Sequence, residues 1–202
     1  MNVAVLASGA GTNLQALLDR VHGRDGIDIV AVASDRTQAP ALRRAQAAGV
    51  AVASFPVEAF VSREERDRAM ADWLVGCGVE LVVLAGYMQL LSDEFLGRFP
   101  DRVINVHPAL LPAFPGLRAV EQAISYGVKV FGVTVHFVDG GVDSGPVVLQ
   151  RAIELPDARD AEAVLERLHA IEHELLPEAV RLIAQGAVSF DSGNPRRVVI
   201  ER

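Results

Sequence analysis

The chain has 202 residues, enough for about one domain and for burial of roughly 70% of the surface its unfolded form exposes. Half of it is apolar and 22% is charged, with 17 Gly and 10 Pro, a globular profile that excludes disordered, collagen-like and disulfide-scaffold classes. Its 26 acidic and 19 basic residues give a net charge of −7, which argues against a large nucleic-acid-binding surface, and the single Cys77 excludes an internal disulfide and fits a reducing compartment.

The opening Met1-Asn2-Val3-Ala4-Val5-Leu6-Ala7 has no basic flank and is too short to span a bilayer, so it reads as a first strand in a cytoplasmic protein. Short apolar runs then alternate with helical patterns. Strands are predicted near residues 2–7, 27–33, 50–54, 80–85, 102–106, 130–138 and 146–154, and helices over 12–22, 40–48, 63–76, 118–126 and about 160–185. Val164, Leu168, Ile171 and Leu175 recur at helical spacing in the last of these, and Pro177 is expected to kink or interrupt it. The predicted fold class is α/β: a single-domain, Rossmann-like, mostly parallel twisted sheet of about seven strands, with helices on both faces. An antiparallel portion is expected because the loop from Asp139 to Gly145 is too short for a parallel crossover. Residues 1–186 read as the functional domain and 187–202 as a tail or short strand.

Ser8-Gly9-Ala10-Gly11-Thr12-Asn13 joins the first strand to the first helix. Glycines permit a sharp turn and a close ligand, and the first amides of a helix make an anion site. A dinucleotide fingerprint would need Gly where Leu14 stands, although Asp35 lies at a suitable distance for a ribose contact. A Walker loop is excluded, since no Gly-Lys-Ser/Thr follows. A single phosphate held by the amides of Gly11, Thr12 and Asn13 remains, beside the plain alternative of a strand-to-helix turn.

Asn105-Val106-His107-Pro108 ends the 102–106 strand, and strand alternation puts the side chains of 105 and 107 on one face, at the end where open α/β sheets bind ligands. Pro108, Pro112 and Pro115 stiffen the following loop. Asp143 in the glycine-rich loop is the candidate partner for His107, because a neighbouring carboxylate favours the imidazolium. Asn105 could donate to an oxygen that gains charge during carbonyl addition. No Ser or Cys nucleophile accompanies them, which suggests direct transfer to an amine. A lone turn aspartate and a lone strand-end histidine are the ordinary alternative.

With these residues the chain resembles the phosphoribosylglycinamide formyltransferase family, folate-dependent enzymes of purine biosynthesis. The resemblance covers residues 1 to about 186. It rests on Ser8-Gly9-Ala10-Gly11-Thr12-Asn13-Leu14-Gln15, Leu84-Ala85-Gly86-Tyr87-Met88, Asn105-Val106-His107-Pro108-Ala109-Leu110-Leu111-Pro112, Val135-His136-Phe137-Val138 and Asp143-Ser144-Gly145-Pro146. It implies formyl transfer from 10-formyltetrahydrofolate to glycinamide ribonucleotide, with Asn105, His107 and Asp143 catalytic. Gly11, Thr12 and Asn13 would hold the substrate phosphate, with His169 and Glu172 near the rest of that substrate. The folate would contact Arg63, Met88, Gln89, Leu90, Leu91, Asn105, Asp139, Gly140, Gly141, Val142 and Asp143. No metal is implied, the partners are small molecules without nucleic acid or membrane, and a homodimer is admitted. Gln89 and Arg118 depart from the family pattern, which often has a basic residue after the Met and commonly a His after the Pro-Gly turn.

Two other classes compete. His169-Ala170-Ile171-Glu172-His173 matches an inverted zinc-protease motif, but its periodicity assigns Ile171 and Leu175 to the core. A non-catalytic nucleotide-binding module would bind without transfer. His136 reads as a residue on the opposite strand face from Val135 and Phe137, and Trp73 as core.

Overall fold

The computed structural model describes residues 1–201, which fall into two compact units, Met1–Ile104 and Asn105 onward. In the first, β1 (Asn2–Leu6), α1 (Thr12–Arg20), β2 (Asp28–Ser34), α2 (Pro40–Ala47), β3 (Ala51–Ser54), α3 (Arg63–Gly76), β4 (Leu81–Leu84) and α4 (Asp93–Arg98) follow one another. The strand order is β3-β2-β1-β4 and every pairing is parallel. β1 is flanked on both edges, and Val3, Ala4, Val5 and Leu6 are fully buried, as a strand covered on both faces requires. Ser62 and Ser92 cap α3 and α4 by accepting from the amides of Glu65 and Phe95. α4, only six residues long, was outside the predicted set; its signal was the cap Ser92-Asp93-Glu94, with no long apolar period behind it.

β5 (Val103–His107) begins in the first unit and ends in the second, which continues with α5 (Ala119–Tyr126), β6 (Val130–Phe137), β7 (Val147–Glu154), α6 (Ala161–Ala184), β8 (Val188–Asp191) and β9 (Asn194–Ile200). Here the order is β6-β7-β9-β8. The β6–β7 pair is antiparallel, as the short 139–145 loop dictates, and β8 and β9 form a second antiparallel pair. The α/β class with parallel and antiparallel strands is as expected, but the strands among the described residues number nine rather than about seven. The two extra ones form after Gly186, where Asp191 accepts from the amides of Gly193 and Asn194 and closes a turn that composition alone did not mark as a hairpin.

Pro177 does not interrupt α6, which runs unbroken through it. A helix-interior proline costs about 3 kcal/mol. Burial of Leu175, Leu176 and Val180 on the flanking turns, each worth roughly 1.5–3 kcal/mol, outweighs that cost.

Candidate active site

β5 carries two polar side chains on one face at its carboxyl end. Asn105 is half-buried and His107 is 5% exposed, the pleat having turned Val106 to the other side. Asp143 reaches them from the β6–β7 loop. Its Oδ2 lies 3.3 Å from His107 Nδ1 and accepts from the Gly116 amide at 2.7 Å. Its Oδ1 accepts from Asn105 Nδ2 at 3.2 Å.

The fourth member is His136, which alternation along β6 had marked only as facing away from Val135 and Phe137. Its ring is 2% exposed, with Nδ1 2.8 Å from the Phe137 carbonyl, Nε2 3.2 Å from Asn105 Nδ2 and 3.5 Å from Asp143 Oδ1. A carbonyl only accepts, so Nδ1 carries a proton. In the neutral ring Nε2 then accepts from Asn105, whose two N–H groups are shared between His136 and Asp143. That fixes the orientation of the Asn105 amide, since reversing it would set its oxygen against the carboxylate. In the protonated ring the same nitrogen donates to Asp143. A polar residue facing the same way as Thr134 was the only sequence signal available.

His107 Nε2 donates to the Phe114 carbonyl at 2.9 Å, leaving Nδ1 toward Asp143, and an imidazolium satisfies both contacts at once. Phe114 and Arg118 have φ of 52° and 56°, and Asp143 has 49°, conformations that cost a side-chain-bearing residue roughly 1–2 kcal/mol each.

Burial by itself would raise the Asp143 carboxyl. Hydrogen bonding with His136, the Gly116 amide and the positive charge of His107 and His136 outweigh burial and hold it at about 2, from an ordinary 3.8. This residue is a fixed negative charge throughout the neutral range.

The other residues singled out from the sequence lie as follows. His169 and Glu172 are on α6, Glu172 buried and His169 stacked on His173 with ring centroids 6.2 Å apart. Among the described residues no group of three or more His, Cys, Asp or Glu is arranged to hold a metal ion. In the 139–145 loop, Asp139 Oδ1 accepts from the Gly141 amide and Ser144 Oγ, and Val142 is 50% exposed.

In the first unit, Gly11 starts α1 in the left-handed conformation, φ 73°, and a Cβ there would come within 2.8 Å of Ala41. The Gly11 loop is braced by Arg44 Nε on the Ala10 carbonyl, 2.9 Å, and Ser8 Oγ on the Met88 amide, 2.9 Å. Thr12 and Asn13 open the helix without a side-chain cap. Arg63 is the first residue of α3 and pairs with Glu64 at 3.4 Å. Met88 and Leu90 are about half exposed. Gln89 is taken up by structure: it donates to Asp35 at 3.0 Å and accepts from Arg66 at 3.4 Å, while buried Arg66 is paired with buried Asp67 at 2.7 Å and also donates to the Leu90 carbonyl.

An α/β chain that brings an amide and an imidazole from a strand end into contact with a loop carboxylate offers the groups that a group-transfer enzyme uses. The chain belongs to the formyl transferase family, whose sequence model matches residues 1–180. It is 38% identical over 179 residues to the phosphoribosylglycinamide formyltransferase of Bacillus subtilis, covering 88% of this chain and 92% of that protein. The crystal structure of glycinamide ribonucleotide transformylase 1 from Symbiobacterium toebii is similar at a TM-score of 0.95 and 46% identity, covering 100% of this chain and 94% of that one. A trifunctional purine biosynthetic protein of Drosophila pseudoobscura is 41% identical over 189 residues, 92% of this chain but only 14% of that much longer protein.

Proposed function

We propose that this chain transfers the formyl group of 10-formyltetrahydrofolate to the amine of glycinamide ribonucleotide, giving formylglycinamide ribonucleotide and tetrahydrofolate in de novo purine biosynthesis. The observation that carries the reading is the contact of Asn105, His107 and Asp143 in a formyl transferase family member. The formyl folate supplies an electrophilic carbonyl carbon. Exposed apolar side chains such as Met88 and Leu90 suit its flat ring system.

The substrate amine attacks in its neutral form. An α-amino group has an ordinary pKa of about 7.7–8.0, so a useful fraction is free at neutral pH without a strong base. Asn105 and protonated His107 donate to the carbonyl oxygen as it gains negative charge, while Asp143 keeps His107 oriented and guides the proton toward the leaving nitrogen. In the resting cluster Asn105 Nδ2 and His107 Nδ1 face Asp143 and His136 at 3.2–3.3 Å, longer than the roughly 2.7–2.9 Å of a strong charge-assisted bond. Exchange of one such contact for the developing oxyanion therefore costs little and gains a stronger bond.

On this reading the amides of Gly11, Thr12 and Asn13 hold the phosphate with the α1 dipole behind them, His169 and Glu172 serve the remainder of that substrate, and Arg63, Met88–Leu91 and Asp139–Asp143 serve the folate. Residues 1–186 form the working domain. No helix of the described residues is long and apolar enough to cross a membrane, and we assign the activity to the cytoplasm.

The deciding experiment follows the absorbance of the folate product with and without glycinamide ribonucleotide. Release that requires the ribonucleotide is expected; release without it would make the chain a deformylase. Gly11→Ala adds a Cβ to a left-handed residue already against Ala41. Strain of about 1–2 kcal/mol predicts roughly ten-fold weaker ribonucleotide binding by calorimetry. Unchanged affinity would remove the α1 loop from the phosphate site.

A further inference from the structure

The arm that supplies the Phe114 carbonyl and the Gly116 amide is tied to β6 and β7 by a compact polar node. Thr134 Oγ1, fully buried on β6, donates to the Ala109 carbonyl at 2.6 Å and accepts from the Leu111 amide at 3.1 Å and from Gln150 Nε2 at 2.9 Å. A hydroxyl has one proton and two lone pairs, so all of its bonding capacity is used. Gln150, on β7, donates through the same nitrogen to the Leu111 carbonyl at 2.9 Å, so both of its N–H groups are also committed. Between these two anchors the Leu110 side chain lies over Gly132, where any Cβ would overlap it.

Three consecutive residues, Ala109 to Leu111, are therefore fixed to the sheet just before the strained stretch that meets His107 and Asp143. Without such an anchor the left-handed Phe114 would relax, taking its carbonyl away from His107 Nε2 and the Gly116 amide away from Asp143.

We propose that Gln150, acting through Thr134, is a positioning residue for the transfer reaction: the pair clamps the 109–111 backbone so that the Phe114 carbonyl and Gly116 amide stay aimed at His107 and Asp143. The inference rests on the proposed formyl transfer for its kinetic readout, but not for its spectroscopic one. Gln150 touches neither the histidine nor the carboxylate in any of its hydrogen bonds, and the residue is exposed, so substitution spares the core.

The test uses Gln150→Leu, Thr134→Val and Thr134→Ser in the full chain. A catalytic group displaced by a fraction of an ångström to an ångström loses up to about a hundred-fold in rate. Gln150→Leu and Thr134→Val are expected to lower kcat about ten- to hundred-fold with KM for both substrates within about three-fold, and Thr134→Ser, which keeps the hydroxyl, to retain wild-type kcat. In nitrogen-15 spectra of the histidine rings, the His107 Nε2 proton signal is expected to move or broaden in Gln150→Leu and Thr134→Val and to hold its place in Thr134→Ser. An unmoved His107 signal in Gln150→Leu overturns the clamp, as does a kcat within two-fold of wild type, or a loss confined to KM. If the wild-type chain proves inactive on glycinamide ribonucleotide, the proposed function fails, and the histidine spectra still decide the clamp.

Discussion

Replacing Asp143 by Asn is expected to reduce turnover by about 10²–10⁴-fold while glycinamide ribonucleotide still binds. The substitution keeps size and shape but removes an acceptor-only group from the convergence of three donors. The Gly116 amide, Asn105 Nδ2 and His107 Nδ1 face its two oxygens at 2.7, 3.2 and 3.3 Å, with His136 Nε2 3.5 Å away. An amide must turn its own NH₂ toward one of them, which leaves His107 without its anionic partner or separates Gly116 from the loop. Steady-state kinetics and calorimetric titration of the ribonucleotide check both halves, and near-wild-type kcat would exclude Asp143 from proton transfer.

The same variant has a pH signature. The carboxyl's folded value, about 2, lies below its ordinary 3.8, so its stabilising contribution is complete above about pH 4 and disappears as pH falls through 2. The difference corresponds to about 2 kcal/mol. Wild type should lose that much relative to Asp143→Asn between pH 4 and pH 2 in denaturant titrations. Because the carboxylate is already ionised above pH 3, it generates no limb in the activity profile between pH 5 and 8; a limb there that vanished in the Asn variant would contradict this assignment.

The second large effect is expected for Asn105→Ala. Removing a donor to a developing oxyanion costs typically about 2.7–4 kcal/mol, or 10²–10³ in kcat. Here the loss also takes the Asn105 contact from His136 Nε2 and one donor from Asp143, so rescue by ionic strength or pH is not expected. The two substitutions act on one network, and the double variant should be far from additive, losing little more than the worse single change. Full additivity, measured as kcat in a double-mutant cycle, would mean that Asn105 and Asp143 work separately.

How far the molecule was legible beforehand depends on whether the relevant information is local. The seven strands and the five principal helices were readable because apolar period and length are properties of a few consecutive residues, and the antiparallel β6–β7 pair followed from a loop too short for anything else. β8 and β9 were legible only as a tail or one short strand, since their strand character depends on pairing with each other more than on apolar content. Pro177 does not interrupt its helix, one of the two outcomes its local preference suggested, since the turns on either side are buried.

At the site, the sequence by itself determined that Asn105 and His107 share a face, because strand pleating alternates with a period of two, and that Gly11 opens a helix directly after a strand. It also carried Asp143 as a candidate without any means of bringing it to His107. Only the tertiary structure decided that the carboxylate lies 3.3 Å from the ring, that His136 stands behind Asn105, that the Phe114 carbonyl meets His107, and that Thr134 and Gln150 tie Leu111 to the sheet. Side-chain alternation is written into each strand separately, whereas contact between residues 36 positions apart depends on strand order and register, and these are settled by how the whole chain buries its apolar faces.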